Sequence, residues 1–299
     1  MQIEEIRLRS GLPVIVRTFN DELFLTDRGV ATSRNDAYIC RERDIQVLVN
    51  QISGGALYSL EEELKNGFVT IPGGHRLGFT GRVIIEGGVV KTLRDLTGVN
   101  VRFARQVKDC ASRVIPYITS RGSLPWNTLI ISPPQCGKTT LLRDIVRTIS
   151  GGTGGVQVGV VDERSEIAGC YKGLPQLELG LRTDVLDGCP KAQGMIMLVR
   201  SMSPQVIATD EIGRAEDVYA ILEMLNAGVR VVTTVHGSSL DEISKRPHLG
   251  QLVKEIVFQR YIILGRSLGV GTVEQILDET GKNILAVPMR LCREVTAGD

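Results

Sequence analysis

The sequence predicts an α/β protein in which a domain with a mostly parallel sheet is preceded by a smaller α+β domain. Two observations predict the larger domain. Strand-like apolar runs alternate with helical runs in the second half of the chain, and the segment SPPQCGKTT lies between such a strand and an amphipathic helix. The smaller domain is predicted because, within the first part of the chain, the spacing of the apolar residues changes from two residues to three and four.

The composition is that of a folded globular protein. The chain has 299 residues, of which 42% are hydrophobic and 23% charged, and this disfavours wholesale disorder. No segment approaches the roughly 18 apolar residues of a spanning helix, and the N-terminus MQIEEIRLRS lacks the apolar core of a signal peptide. The six cysteines form no C-x-x-C pair, so we expect a reducing, cytoplasmic location and no direct membrane insertion.

The charge gives no global reason to expect nucleic acid as a partner. The formal net charge is +1, and only 4% of the residues are aromatic, which leaves little surface for base stacking. Residues 75–108 differ, because seven basic side chains stand there against two acidic ones. This stretch carries enough positive charge to bind anions.

The first expected domain covers residues 1–108. Alternating apolar residues over 6–16 predict strands, and TDRG at 26–29 predicts a turn between strands. From Arg41 the apolar spacing becomes three and four, which predicts a helix that ends at 53–55. The domain therefore begins as sheet and continues as helix.

A short helix and a hairpin complete this domain. The helix, over 59–66, begins with an acidic first turn and ends before Gly67. The segment RVIIEGGVVKTL at 82–93 predicts a hairpin that turns at Gly87-Gly88. The proline-containing segment 109–126 is the expected linker.

The second expected domain covers residues 127–299. Its apolar runs have the composition of buried strands, and its amphipathic runs have the spacing of covering helices. The predicted strands are 128–132, 156–162, 205–209 and 229–235, and the predicted helices are 139–150 and 215–227.

The segment SPPQCGKTT, residues 132–140, has the ending of a phosphate-binding loop. The backbone N–H groups at a helix N-terminus surround phosphate oxygens, Lys138 reaches the β and γ phosphates, and the hydroxyl of Thr139 holds Mg²⁺. Ser132 replaces the usual first glycine, so the loop is expected to enter by a stiffer route through two prolines. An ordinary strand-to-helix turn is the alternative. The expected nucleotide-binding residues are Pro134, Gln135, Cys136, Gly137, Lys138, Thr139 and Thr140.

Two further strands end in polar residues. Asp210 and Glu211 follow one strand, where Asp210 would hold Mg²⁺ and Glu211 would deprotonate the attacking water. His236 ends the next strand and is placed to face the γ-phosphate. The alternatives are that the two acids cap the helix that begins at Ala215 and that the histidine is structural.

These segments, in this order behind an α+β domain, resemble the secretion ATPases of type II and type IV secretion and pilus machines. In those proteins a phosphate loop, an acidic box, a Walker B segment and a histidine box follow one another. Longer segments, among them RTDVLDGCPKAQGMIMLVRSMSPQVIATDEIG, are similar to the stage III sporulation protein AA family of endospore-forming bacteria. The resemblance covers essentially the whole chain, and it implies a RecA-like P-loop ATPase domain.

The resemblance also implies a function. It implies that a ring of subunits, expected to be a hexamer, hydrolyses ATP with Mg²⁺ in the cytoplasm of the mother cell. The ring would be recruited to the membrane facing the forespore by a membrane protein of the sporulation channel complex. Carried over by position, Lys138 and Thr139 bind phosphate and Mg²⁺, Glu211 is the Walker B glutamate, and His236 is the histidine-box residue.

The acidic box is the segment VVDERSEI at 160–167. By the resemblance, Asp162 is assigned to Mg²⁺ and Glu163 to catalysis. The box reads D-E-R-S-E, whereas the secretion ATPases have E-D-P-x-E, so which of Asp162, Glu163 and Glu166 is catalytic stays open. A solvated acidic turn is the alternative.

A hydrolysing ring also needs a cation near the γ-phosphate, because an arginine finger contributes roughly 10³–10⁵ in rate. Arg102 and Arg105 are assigned to this role, with Arg94 as a third candidate from the same basic stretch. A solvated strand face is the alternative for these three. Arg182 and Arg200 are the runners-up in the second domain.

Two other functions stay open from the sequence. The same core would serve a nucleic-acid translocase, which salt-dependent binding of labelled DNA or RNA would reveal. It would also serve a nucleotide-gated scaffold with little turnover, in which Ser132 and the altered acidic box reflect lost activity.

Overall fold

The structure, a computed structural model, describes residues 3–18, 21–54, 61–119, 124–152 and 155–291. The chain forms two compact units, Met1–Arg105 with Gly169–Gln176, and Gln106–Ala168 with Leu177–Asp299. The segment 169–176 is tied to the first unit by a hydrogen bond, in which the backbone N–H of Gly73 donates to Gln176 Oε1 at 2.9 Å. Nothing in the sequence predicted this contact. No helix in the described ranges is long and apolar enough to cross a membrane.

The first unit is built on an antiparallel sheet. Its strands are β1 (Ile3–Arg9), β2 (Ile15–Thr18), β3 (Glu22–Thr26), β4 (Gly29–Ala31), β5 (Phe68–Ile71), β6 (His75–Glu86) and β7 (Val89–Arg102). Within the described residues they run in the order β4-β3-β2-β1-β7-β6-β5. The predicted turn at 26–29 joins β3 to β4, and the predicted hairpin of β6 and β7 turns at Gly87 and Gly88. Both glycines have a positive φ that this tight turn requires.

Two helices pack against β7 in this unit. They are α1 (Glu42–Ile52) and α2 (Glu61–Lys65). The helix α1 follows the predicted period, with Ile45 and Val49 on its buried face. Its first turn is stabilised by Asp44, whose carboxylate accepts the backbone N–H of Arg41 at 2.8 Å. The predicted start of the second helix at Ser59 lies outside the described residues.

The second unit is built on a mostly parallel sheet, as predicted. Its strands are β8 (Thr128–Ser132), β9 (Val158–Asp162), β10 (Thr183–Asp187), β11 (Val206–Thr209), β12 (Arg230–His236), β13 (Arg260–Gly265), β14 (Thr272–Asp278) and β15 (Met289–Arg290). In the part of the chain that the structure describes, the order is β10-β9-β11-β12-β8-β13-β14-β15. The strands from β10 to β13 in this order are parallel to their neighbours, and β14 and β15 are antiparallel additions.

Helices cover this sheet. They are α3 (Ile115–Ile118), α4 (Lys138–Gly151), α5 (Lys191–Met202), α6 (Ala215–Asn226), α7 (Leu240–Ser244) and α8 (Leu249–Lys254). The helices α4 and α6 were predicted, and α5 was not. Its interior Gly194 lowers helix propensity, yet a side chain there would meet Val161 of β9, since a Cβ would lie 2.5 Å from its Cγ1.

The core of the second unit explains why its strands read as continuous apolar runs. Every residue of β8, β9 and β11 is buried, as a parallel sheet covered on both faces requires. In this sheet β12 lies between β11 and β8. Because β11, β12 and β8 are parallel neighbours, the segments that follow them lie at the same edge of the sheet. The order of the strands cannot be derived from their composition.

Candidate active site

The carboxyl ends of parallel strands bring the predicted residues to one edge of the second sheet. The phosphate loop follows β8, and Asp162 ends β9. Asp210 and Glu211 follow β11, and His236 ends β12. Because β12 separates β11 from β8, His236 stands between the phosphate loop and the paired acids. Open α/β sheets bind their ligands at such an edge.

The backbone of the segment 132–140 does not require glycine at its first position. Ser132 is the last residue of β8, is fully buried, pairs in register with His236 and donates its hydroxyl to the carbonyl of Pro133 at 2.8 Å. The left-handed conformations of the loop fall later, at Gln135 with φ 58° and Gly137 with φ 88°. A non-glycine residue in that region is strained, and such strain is concentrated at ligand-binding loops.

A side chain that was not apparent from the sequence holds this loop. Arg266, which follows β13, donates from Nη2 to the carbonyl oxygens of Pro134 at 3.2 Å and Gln135 at 3.4 Å. Its Nε donates to Sγ of the buried Cys136 at 3.3 Å. Arg266 lies 130 residues from Cys136 in sequence, so no local pattern connects them. The loop is therefore fixed by contacts on the side of β13.

Three side chains converge on the carboxylate of Glu211. Lys138 Nζ lies 2.7 Å from Oε1, His236 Nε2 lies 3.0 Å from Oε1, and Arg164 Nη1 lies 3.1 Å from Oε2. The backbone N–H of Glu211, which has φ 48°, donates to Thr234 Oγ1 at 2.9 Å. Burial favours the neutral acid, but the contacts with Lys138, His236 and Arg164 outweigh it and hold the pKa of Glu211 below its usual value. Glu211 is therefore an anion in the neutral pH range.

Asp210 is buried and follows β11 directly before Glu211, and its carboxylate has an environment that suits a metal ligand. Its side chain is 1% exposed, and Oδ2 has no hydrogen-bond partner among the described residues. Burial, with repulsion from Asp162, raises the pKa of Asp210 to about 7. A buried carboxylate oxygen without a protein partner suits Mg²⁺ or water bound to Mg²⁺. Thr139 and Thr140 lie half-buried in the first turn of α4.

Asp162 has a different environment from the one expected for a Mg²⁺ ligand. Its Oδ1 accepts the backbone N–H of Glu166 at 2.8 Å, and its Oδ2 accepts those of Ile167 at 3.0 Å and Ala168 at 2.8 Å. Burial raises the pKa of Asp162 to about 6 despite these bonds. Because both oxygens hold the acidic-box loop, the structure favours a positioning role for Asp162. The assignment of Asp162 to Mg²⁺ stays a prediction, and its three contacts show that the carboxylate also shapes the loop.

The other two acidic residues of the box are also held, Glu163 through its carboxylate and Glu166 through its backbone. Glu163 pairs with Lys191, the first residue of α5, which is 8% exposed. A cation at a helix N-terminus is disfavoured by the helix dipole, so the pair with Glu163 compensates a poor position. Glu166 is half-buried, and its carbonyl oxygen accepts from Arg143 Nη2 at 2.6 Å. No sequence signal indicated the contact of Lys191 with Glu163, because α5 itself was not predicted.

The arginines expected as fingers are divided between the two units. Arg94, Arg102 and Arg105 belong to the first unit, where Arg105 donates to Glu4 Oε1 at 3.3 Å and to the carbonyl oxygen of Ile3 at 3.0 Å. In the second unit, Arg182 donates to the carbonyl oxygens at the end of α4, and Arg200 lies in the last turn of α5. Among the described residues of that unit, the arginine paired with Glu211 is Arg164.

The two buried aspartates should respond differently to the same substitution, because the carboxylate of Asp162 holds backbone N–H groups and Oδ2 of Asp210 has no hydrogen-bond partner among the described residues. A raised pKa means that the folded protein binds more protons than the unfolded chain. The free energy of unfolding therefore falls as pH rises from the ordinary pKa of Asp210, 3.8, through its folded value of about 7. Asp210→Asn should therefore gain about 2–3 kcal/mol more stability at pH 8 than at pH 5. Asp162→Asn should leave the protein about 1–3 kcal/mol less stable than Asp210→Asn at the same pH, because an amide nitrogen cannot accept a backbone N–H and the carboxylate of Asp162 accepts three of them. Urea unfolding in EDTA at both pH values measures this, and equal pH dependence of Asp210→Asn and wild type would contradict it.

Comparison with solved structures identifies the fold. The chain matches the X-ray structure of the Legionella pneumophila ATPase DotB with a TM-score of 0.58 and 17% identity, over 87% of this chain and 71% of that one. It matches the pilus retraction motor PilT, crystallised with ADP, with a TM-score of 0.56 and 17% identity, over 87% and 73% of the two chains. At this identity the similarity shows the fold alone, a RecA-like ATPase fold.

Comparison with protein sequences shows the family. The chain is 48% identical over 289 residues to stage III sporulation protein AA of Bacillus subtilis (strain 168), which is 96% of this chain and 90% of that protein. It is also 32% identical over 158 residues to the protein SEEDLING PLASTID DEVELOPMENT 1 of Arabidopsis thaliana, which is 52% of this chain and 22% of that protein. The family model described as Sporulation stage III, protein AA matches residues 1–284, and the chain therefore belongs to this family.

Proposed function

We propose that this protein is an ATP-hydrolysing motor of the secretion-ATPase type. It would power assembly of, or transport through, the channel between mother cell and forespore during endospore formation. Family membership supports the role in sporulation, and the RecA-like fold supports the ATPase. The observation that carries the proposal is the convergence of Lys138 and His236 on Glu211, beside the buried Oδ2 of Asp210, for which the described residues supply no hydrogen-bond partner.

The residues of this edge divide the work of hydrolysis. Lys138 would bind the β and γ phosphates of ATP, and His236 would contact the γ-phosphate. Thr139 and Asp210 would hold Mg²⁺, which offsets negative charge on the phosphates. Once Lys138 has turned to the phosphates, the ionised Glu211 accepts the proton of the attacking water.

The oligomer and its location are part of the same proposal. Family membership and the secretion-ATPase fold support a ring homo-oligomer, with six subunits as our working number. The ring would lie in the cytoplasm of the mother cell and be recruited by a membrane protein of the channel complex, without nucleic acid as a partner. Arg102 and Arg105 remain candidates for a cation supplied by a neighbouring subunit.

Phosphate release from MgATP tests this proposal. If subunits share catalytic groups, activity per subunit should rise steeply with protein concentration, because assembly follows mass action. The measurement is steady-state phosphate release over a wide concentration range, with EDTA as the control that removes Mg²⁺. Activity per subunit that stays constant on dilution would contradict a shared site. A well-assembled oligomer without phosphate release would favour the nucleotide-gated scaffold instead.

A further inference from the structure

The cluster around Glu211 has the composition of a phosphate site. Lys138, His236 and Arg164 each place a nitrogen atom within 3.1 Å of a single carboxylate. Lys138 is the lysine of the phosphate loop. In the proposed function, its ammonium group leaves Glu211 and binds the β and γ phosphates of ATP. The donors that share Glu211 with Lys138 then lie where the terminal phosphoryl group arrives. Of these donors, Arg164 has the planar guanidinium group, which can bind a phosphoryl group through two N–H groups.

The backbone that carries Arg164 is anchored on its C-terminal side. The carboxylate of Asp162 accepts three successive backbone N–H groups, those of residues 166–168. From α4, the buried Arg143 donates Nε to the carbonyl oxygen of Ile167 at 2.5 Å and Nη2 to that of Glu166. The acidic-box loop is thus tied to the helix that begins at the phosphate loop. Such anchoring reduces the entropy lost when a side chain of the loop binds a ligand.

The part of the loop around Arg164 is held as well. Ser165, with φ 52°, donates its hydroxyl to Asp187 at the end of β10. Glu163 is paired with the buried Lys191. Arg164 is the exposed residue of the box, with 55% of its side chain accessible, and its guanidinium reaches across to Glu211. The loop therefore presents one exposed cation, Arg164, from a backbone that its neighbours hold in place.

Other arginines of the second unit have structural partners instead. Arg143 binds carbonyl oxygens of the acidic box, and Arg182 binds those that end α4. Arg266 binds carbonyl oxygens of the phosphate loop. These guanidinium groups hold backbone in place, whereas Arg164 pairs with a carboxylate that is itself a site residue. A planar guanidinium that can bind a carboxylate can bind a phosphoryl group in the same way.

We propose that Arg164 is an arginine finger supplied within the same chain, which Glu211 holds ready and which contacts the terminal phosphoryl group of bound ATP. The inference rests on the proposed function, since it requires ATP at this edge. It accounts for an arginine inside the acidic box. It also explains the pairing of Glu211 with Arg164. When ATP binds and this pair separates, the carboxylate becomes free for the attacking water and the guanidinium becomes free for the phosphoryl group.

A double-mutant experiment separates this role from a positioning role. In the Glu211→Gln background, the ionic contact with Arg164 is already removed, so any further effect of Arg164→Ala on ATP binding comes from the phosphate. We expect Arg164→Ala in this background to weaken ATP binding by about 10-fold to 100-fold and to leave ADP binding within about twofold. Calorimetric titration with MgATP and MgADP measures both, and Arg164→Lys should retain part of the ATP preference.

The control is Arg43→Ala, which removes an exposed arginine from α1 and should change neither affinity. Equal effects of Arg164→Ala on ATP and ADP, or no effect on either, would overturn the proposal and leave Arg164 as a positioning residue for Glu211. Failure of the wild-type protein to bind either nucleotide would instead overturn the proposed function on which the inference rests. Because Arg164 is more than half exposed, its replacement should leave the fold intact.

Discussion

Lys138→Ala should lower the affinity for MgATP by roughly 10²–10³-fold and reduce turnover to background. The ammonium of Lys138 is nearly buried at the start of α4, and it already binds a carboxylate, Glu211, at 2.7 Å. A phosphate site that loses this cation keeps the helix N-terminus but loses its strongest donor. Calorimetric titration with MgATP and steady-state phosphate release measure the two effects.

The matched control for this prediction is Lys254→Ala, which removes an exposed lysine from the last turn of α8. Loss of Lys138 also leaves Glu211 with two partners, so a stability loss of about 1–3 kcal/mol is expected and the titrations belong well below the unfolding temperature. Binding of MgATP by Lys138→Ala within a few-fold of wild type would place the phosphate site elsewhere in the molecule.

The parts of the site that could be predicted from the sequence are local in the chain. The strand β8, the phosphate loop and α4 are consecutive, and the apolar run and the amphipathic stripe that define them lie within one short segment. The same holds for β11 with Asp210 and Glu211, and for β12 with His236. Each of these is a strand that ends in a polar residue, a pattern visible without any partner.

The parts that could not be predicted depend on contacts between distant segments. Arg266 reaches the phosphate loop from β13, and Arg164 reaches Glu211 from the loop after β9. Lys191 meets Glu163 because α5 begins beside the end of β9. These contacts depend on the order of the strands in the sheet, and the composition of the strands does not determine that order. The edge strand β10 was missed for a related reason, since TDVLD has only two apolar residues and no buried position.

The roles within the acidic box were ambiguous for a different reason. From the sequence, Asp162, Glu163 and Glu166 are all acids near a strand end, and each is able to bind a metal or to accept a proton. Their hydrogen bonds distinguish them, because Asp162 uses both oxygens on its own loop while Glu163 faces Lys191. A side chain with satisfied oxygens is a poor metal ligand, and only coordinates reveal which oxygens are satisfied.

Glu211→Gln should preserve nucleotide binding and lower turnover by roughly 10²–10⁴-fold, the usual contribution of a general base. The amide keeps the size of the side chain and can still contact Lys138, but it cannot take a proton from water. Because the amide also lacks the charge that competes with phosphate for Lys138, MgATP affinity should stay equal to that of wild type or rise. Titration with MgATP and phosphate release under saturating MgATP measure both properties.

The comparison with Glu163→Gln decides which acid is the base. Glu163 is held by the buried Lys191, so its replacement should disturb the acidic box and lower turnover by about tenfold, without the selective loss expected at Glu211. Glu223→Gln, on the exposed face of α6, is the neutral control. If Glu163→Gln abolished turnover with binding intact while Glu211→Gln stayed active, the base would belong to the acidic box. Glu211 would then serve to hold Lys138, His236 and Arg164 in place for the nucleotide, since its three contacts do not require it to accept a proton.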